Sequence, residues 1–430
     1  MADPLNKRTL LSPLLYQKTR LILICLLGLI LISCGAVPKR LDQDPFPLSH
    51  PVFFNTLEAY TGAPILKGNR VRVLLNGDEF FPAMLKAIRG AKQSITFVSY
   101  VYWRGQIADE FAEILAQRAR EGIPVYLLLD SQGAKAMDEK NVVKMREAGV
   151  HLSWFRPLRW YKFPQYNYRT HRKILVVDGK IGFTGGIGIG QEWAGHAQDP
   201  DHWRETCVVV EGPVVHYLQA AFAENWMEAT GTMLVGNIYF HPLEAVGPVQ
   251  AQGIRSSPME SSSEVYMLYL LTLSAAERTL YITTAYFLPD DLLQERLIQA
   301  VQRGVDVRVV LPGKYNDNYF LYQLSRNGYG KLLKAGVKIY EYQPTFIHAK
   351  AMVADGIWGS IGSTNFDNRS FSLNDEFNLN FHDREVAGRL EEVFQEDLDH
   401  SRRVSYEEWE KRPYRERFVG WLASWIKNFY

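Results

Sequence analysis

From Val71 onward the apolar positions of this chain alternate between the period of a strand and the period of a helix. Val71 to Leu75 reads as a short strand, Phe80 to Ile88 as a helix, and Ile95 to Tyr102, rich in β-branched and aromatic residues, as a second strand. Ile107 to Arg120 has apolar residues at helical spacing and stops at Gly122. Val125 to Leu129 is a continuous apolar run, as in a strand covered on both faces. The order then returns: Leu280 to Phe287 reads as a strand, Leu292 to Gln302 as a helix closed by Gly304, and Val307 to Leu311 as a strand. Arg120-Glu121-Gly122-Ile123-Pro124-Val125 corresponds to Gln302-Arg303-Gly304-Val305-Asp306-Val307, and Ala148-Gly149-Val150 recurs as Ala335-Gly336-Val337. The period is far longer than in solenoid repeats. The pattern predicts an α/β protein of two related lobes, residues 50–241 and 264–405. A Pro-, Gly- and Ser-rich linker, 242–263, joins them, and a tail, 406–430, follows.

The amino terminus reads differently. Lys7, Arg8, Lys18 and Arg20 precede an apolar run from Leu21 to Ile32. That run is shorter than the roughly 20 residues of a membrane-spanning helix and fits a signal-peptide core. Leu31-Ile32-Ser33-Cys34-Gly35 looks like a bacterial lipoprotein cleavage box, which would make Cys34 the lipidated first residue. The alternatives are an uncleaved anchor extended by Leu10, Leu11, Leu14 and Leu15, and a buried soluble helix. The signal and anchor readings of segment 1–34 both place the protein at a membrane.

Composition narrows the chemistry. Lys plus Arg is 48 and Asp plus Glu 47, a net charge of +1, which disfavours a protein that grips nucleic acid through bulk positive charge. Three cysteines without a Cys-x-x-Cys pair exclude a disulfide scaffold and give no structural metal site. No cofactor is expected.

Candidate chemistry falls at matching places in the two copies. Thr170-His171-Arg172-Lys173 leads through Ile174-Leu175-Val176-Val177 to Asp178, then Gly185-Gly186; Ile347-His348-Ala349-Lys350 leads to Asp355, then Gly362-Ser363-Thr364-Asn365. Each fits His-x-Lys-x4-Asp. In a strand, residues two apart share a face, so His171 projects with Lys173 and His348 with Lys350. The small-residue turns Gly185-Gly186 and Ser363 to Asn365 can approach a phosphate. Two imidazoles and two ammoniums around one phosphodiester suit displacement at phosphorus. One neutral imidazole attacks, the other gives and takes the proton, and the lysines stabilise charge. Glu205 and Glu376, 34 and 28 residues downstream of the preceding motif histidine, are candidates to orient the rings. Asp178 and Asp355 end the motifs and are expected to hold local backbone or lysine charge rather than to act as acids. The remaining histidines, such as His196, His202 and His216, are expected at surfaces or in local hydrogen bonds.

These residues resemble the phospholipase D superfamily and, within it, the bacterial cardiolipin synthases. The likeness runs from about Val71 to Arg403. Beyond the paired motifs it rests on Trp203-Arg204-Glu205-Thr206, Tyr286-Phe287-Leu288-Pro289-Asp290, Tyr340 to Pro344 and Gly362 to Phe371. The resemblance implies two phospholipase D-like lobes, mixed sheets flanked by helices, packed as a pseudo-twofold pair. It implies the joining of two phosphatidylglycerol molecules into cardiolipin with release of glycerol, without a metal. It also implies His171 as nucleophile and His348 as acid and base. One departure stands out: the first copy has Gly188 where the second has Asn365. A hydrolytic phospholipase D would use the same residues. A nuclease of the same superfamily and a non-enzymatic lipid-binding protein are the further alternatives.

Two aromatic, basic segments favour a lipid surface. Phe418, Trp421, Leu422, Trp425, Ile426 and Phe429 recur at helical spacing among Lys411, Arg412, Arg415, Arg417 and Lys427, as in an interfacial helix; docking onto the protein's own core is the alternative. Arg156, Arg159, Trp160, Tyr161, Lys162, Phe163, Tyr166 and Tyr168 read as a loop at the mouth of the site, against the alternatives of a stacking platform for single-stranded nucleic acid or ordinary packing.

Overall fold

The strand edges expected from the apolar pattern pair into a single continuous sheet in the computed structural model, which describes residues 41–43, 46–158, 167–258 and 264–424. The segment 1–34 with Cys34, the stretch Arg159 to Tyr166 and the end of the tail from Trp425 lie outside the described residues. The elements below all belong to the unit Asp44–Tyr430.

The first copy contributes β1 (Leu66–Leu75), β2 (Ile95–Ser99), β3 (Val125–Asp130), β4 (His151–Phe155), β5 (Arg169–Thr170), β6 (Ile174–Val177), β7 (Ile181–Gly185) and β8 (Thr206–Glu211). The second contributes β9 (Val249–Ser256), β10 (Thr279–Thr283), β11 (Phe287–Leu288), β12 (Asp306–Pro312), β13 (Lys338–Tyr342), β14 (Ala351–Ala354), β15 (Trp358–Gly362), β16 (Phe366–Asp367), β17 (Asn374–His382) and β18 (Ser401–Val404). In the first lobe the order runs β4-β3-β2-β6-β7-β8-β1, and in the second β13-β12-β10-β14-β15-β17-β9. The two orders are the same path, and they meet where β1 pairs antiparallel with β9. In each lobe three neighbouring strands, β4-β3-β2 and β13-β12-β10, run parallel and the rest of the path is antiparallel; in the second lobe β18 adds antiparallel to β13 at the edge. All five residues of β2 are buried, consistent with helices on both faces of a parallel segment. Leu218, Phe222 and Trp226 of helix Val215–Thr230 and Val386, Leu390 and Phe394 of helix Arg384–Asp399 share one hydrophobic core with β6, β8, β14 and β17. That core therefore spans both lobes.

Two expectations change. The span 242–263 is not a linker throughout, because Val249–Ser256 is β9, an interior strand between β1 and β17. Its polar composition misled because the polar groups are satisfied in place. Gln252 Nε2 donates to Thr61 Oγ1 and the Ala63 carbonyl, and its Oε1 accepts from Asn380. Gly253 serves close packing: a Cβ there would lie 2.6 Å from that of Tyr217 and 2.9 Å from the Phe377 ring. Second, the two motifs are not uninterrupted strands. The chain leaves strand geometry at His171–Lys173, between β5 and β6, and at His348–Lys350, before β14. The cause is pairing with the other lobe: β5 runs parallel to the start of β17, and Ile347 bridges to Arg204.

Candidate active site

His171 is held by its backbone as well as its ring. Its amide donates to the Asp375 carbonyl at 2.9 Å, and the His348 amide donates to the Arg204 carbonyl at 2.8 Å. Each histidine is thus pinned next to the glutamate of the opposite lobe. His171 Nδ1 lies 3.0 Å from both carboxylate oxygens of Glu376, and His348 Nδ1 lies 2.6 Å from Glu205 Oε2. The pairing by order along the chain, Glu205 with His171 and Glu376 with His348, is therefore replaced by a crossed one. Both glutamates are fully buried.

His171, Lys173, His348 and Asn365 line one cleft of about 480 Å3. Burial holds the His171 imidazole at about 4 despite the pull of Glu376. Burial first, and the Lys350 ammonium next, hold His348 at about 3. Burial raises the two carboxyls, but the histidines and lysines beside them bring both below the usual range. At neutral pH the glutamates are therefore ionised and the rings neutral, so Nδ1–H donates to the carboxylate and Nε2 keeps its lone pair. Lys350 Nζ sits 2.9 and 2.8 Å from the two ring nitrogens of His348 and also donates to its carbonyl. Lys173 Nζ donates to the His171 carbonyl at 2.7 Å and faces the Tyr100 ring at 5.3 Å. Burial pushes the Lys173 ammonium well down and brings Lys350 to about 8.

The other sequence candidates take structural positions. Asp178 accepts from the amides of Lys92, Gln93 and Ser94, and Asp355 from those of Glu277, Arg278 and Thr279. Both have φ of 55°, which the carboxylate contacts stabilise. They fix strand ends in each lobe; neither is held on a lysine side chain. Gly185, Gly186 and Ser363 stand behind the glutamates rather than on the cleft. A Cβ at Gly186 would collide with the Glu205 carboxylate, a Cβ at Gly185 would lie 2.6 Å from the Thr206 carbonyl, and the Ser363 hydroxyl donates to Glu376 Oε2 at 2.5 Å. Of these turn residues, Asn365 is the one that lines the cleft. Where the first copy has Gly188, the indole of Trp193 fills the space: a Cβ would lie 2.7 Å from Trp193 Cη2, and Trp193 Nε1 reaches Glu205 at 3.3 Å. Three further rings adjoin the histidines; the sequence named Trp203 only within the Trp203-Arg204-Glu205-Thr206 resemblance, and Trp193 and Tyr100 not at all. The Trp193 and Trp203 rings lie 5.3 and 5.6 Å from the His348 ring, and Tyr100 lies 5.1 Å from His171. The missing Asn at position 188 was the signal for Trp193. Tyr286 donates to Asp317 at 2.5 Å on the cleft wall, and burial raises the Asp317 carboxyl. His196 and His202 lie within hydrogen-bond distance of Asp78 and Asp199, at 3.2 and 2.7 Å, and His216 donates to the His241 carbonyl.

The fold and sequence have clear relatives. The chain is 35% identical over 341 residues, 78% of its own length and 67% of the relative's, to the probable cardiolipin synthase YwiE of Bacillus subtilis. It is 34% identical over 359 residues, 83% of its length and 71% of the relative's, to the cardiolipin synthase of Geobacillus kaustophilus. Among solved structures, the phosphatidylserine synthase of Haemophilus influenzae superposes with a TM-score of 0.69 at 15% identity, over 88% of this chain and 99% of that one, which shows a shared fold. The family described as cardiolipin synthase, PLD-like domain, matches residues 84–226 and 269–398, one span in each lobe. With a histidine–glutamate pair at the seam between those two spans, the chain belongs to the cardiolipin synthase family of phospholipase D-like proteins.

Proposed function

We propose that the protein is a cardiolipin synthase-type phosphatidyltransferase acting on phosphatidylglycerol, and that the two crossed histidine–glutamate pairs carry the reaction. Nε2 of one neutral imidazole attacks phosphorus and forms a phosphatidyl-histidine; the bond to the glycerol headgroup breaks, and the second imidazole, as imidazolium, gives that oxygen a proton. It then takes the proton from a hydroxyl of a second phosphatidylglycerol, whose oxygen displaces the histidine. The products are cardiolipin and glycerol. His171 is taken as the nucleophile and His348 as acid and base, the order the family resemblance implies.

The electrostatics supports this cycle. Buried neutral rings with ionised carboxylates behind them supply the nucleophile. The phosphodiester brings the negative charge that favours the imidazolium form of the acid. Lys173, Lys350 and Asn365 stabilise charge on the non-bridging oxygens. The single observation that carries the reading is that His171 and His348, from separate lobes, line one cleft with their Nδ1 atoms committed to glutamates.

Work at a bacterial membrane surface follows from a lipid substrate. Support comes from the apolar run before Cys34 and from the tail, where Tyr414, Phe418 and Trp421 are exposed on helix Tyr414–Ser424. Attachment as a periplasm-facing lipoprotein is the form the Cys34 box supports. Among the described residues no helix is long and apolar enough to cross a membrane. The deciding experiment is incubation of the purified protein with phosphatidylglycerol in detergent micelles. Cardiolipin and glycerol are expected. Phosphatidic acid alone would indicate a hydrolase, and cleaved DNA with untouched lipid a nuclease.

A further inference from the structure

A second cavity, of about 470 Å3, lies beside the catalytic cleft. Its walls are mostly apolar, with Phe287, Leu288, Pro289, Leu324 and Trp409 among them; Lys331 and Lys334 line it too, with one acidic neighbour, Asp291. Leu288 also lines the catalytic cleft, so the two spaces share a wall. The size falls within the range of cavities that bind small organic ligands, roughly 300–1,000 Å3.

Two glycines inside helix Tyr319–Ala335, Gly328 and Gly330, face this cavity. Only proline is a poorer residue for a helix interior. At Gly330 the reason is packing, since a Cβ there would press into the Trp409 indole. At Gly328 it is not, since nothing lies within 4 Å of an added Cβ. The absent side chain leaves the cavity open. The neighbouring helix Tyr414–Ser424 is tied to the same helix by the Glu416–Arg326 ion pair and by Gly420 against Asn327. It leaves Tyr414, Phe418 and Trp421 78, 48 and 52% exposed, an aromatic strip of the kind that sits in a lipid interface.

We propose that this cavity is an acyl-chain subsite. It takes one fatty-acyl chain of a phospholipid whose phosphate lies in the catalytic cleft, and Lys331 and Lys334 face the anionic headgroups of the surrounding lipid. The occupant follows from the position of the cavity next to the cleft, on the other side of Leu288, from the apolar walls and from the paired lysines beside them. The inference rests on the lipid reading above.

The test compares dioleoyl- and dihexanoyl-phosphatidylglycerol as substrates for the wild type, for Gly328→Trp and Gly328→Leu, which fill the cavity, and for Gly328→Ala, which leaves most of it. The filling variants are expected to lose kcat/KM for the dioleoyl lipid on the order of tenfold, the effect of excluding about two buried methylenes. Their rate with the dihexanoyl lipid, which also reports that they are folded, and the behaviour of Gly328→Ala are expected to match wild type. An equal effect on both lipids, or none on either, overturns the subsite while leaving the lipid reading intact. If the wild type makes cardiolipin from neither lipid, the lipid reading fails and the subsite with it.

Discussion

Glu376, on the second lobe, holds Nδ1 of His171, on the first, within 3.0 Å of both of its carboxylate oxygens. In reverse, Glu205, on the first lobe, holds Nδ1 of His348, on the second, through its Oε2 at 2.6 Å. Neither lobe owns a complete pair, so the site exists only when the two copies dock. Glu376→Gln and Glu205→Gln keep the shape of the side chain and remove the charge that fixes the reactive tautomer. Each is expected to lower kcat by about 100-fold or more with little change in KM. Steady-state kinetics on phosphatidylglycerol decides it; a rate within a few fold of wild type would make the pairing incidental.

His171→Ala and His348→Ala are each expected to lower turnover by at least about a thousandfold. They differ in what accumulates. With labelled phosphatidylglycerol and a denaturing quench at alkaline pH, where the N–P bond survives, the variant lacking the nucleophile yields no labelled protein, whereas the variant lacking the acid and base can retain label. Label on His348→Ala but not on His171→Ala would assign His171 as nucleophile; the opposite result would reverse the two roles.

Stability is expected to depend on pH through the same rings. An unfolded imidazole titrates near 6.5, whereas burial holds the folded ones at about 4 and about 3. Between those values the unfolded chain binds more protons. Stability is therefore fully present above about 6.5 and is lost as pH falls from there toward 4 and 3, with a slope of at most about 1.4 kcal/mol per pH unit for each ring. The lowered carboxyls of Glu205 and Glu376 act in the same direction at still lower pH. Thermal denaturation between pH 7 and 5 should show Tm falling, and His171→Asn should make the fall shallower. An unchanged slope would mean that the rings are not neutral in the folded protein.

Asp355 is buried beside the Thr279 strand start and accepts three backbone amides. Asp355→Ala leaves those donors without their acceptor and puts alanine at a φ of 55°. A loss of about 2–4 kcal/mol in unfolding free energy is expected, with the folded fraction still active. Denaturant unfolding together with specific activity separates this from a catalytic role: loss of activity without loss of stability would reassign the residue.

Gly188→Asn would restore to the first copy the residue found at Asn365 in the second. It is expected to harm rather than help, because the indole of Trp193 already occupies the space. A destabilisation of about 1–3 kcal/mol is expected from overpacking. The displaced Trp193 would also disturb Glu205 and, through it, His348. A variant as stable and active as wild type would show that the indole yields.

The sequence by itself determined the duplication, the α/β alternation and the two His-x-Lys-x4-Asp motifs, because each is written in short-range periodicity or in a local pattern that repeats. It also named Glu205 and Glu376, since a neutral imidazole needs an acceptor at its distal nitrogen. Only the tertiary structure decided which glutamate serves which histidine. That choice depends on β5 pairing with β17 of the other lobe and on Ile347 bridging to Arg204. Such pairings join residues more than a hundred positions apart, and no local period encodes them. The same holds for β9, whose polar residues look like linker until Gln252 finds Thr61, Ala63 and Asn380. It holds too for Trp193, whose place against Gly188 follows from volume filled in three dimensions rather than from spacing along the chain.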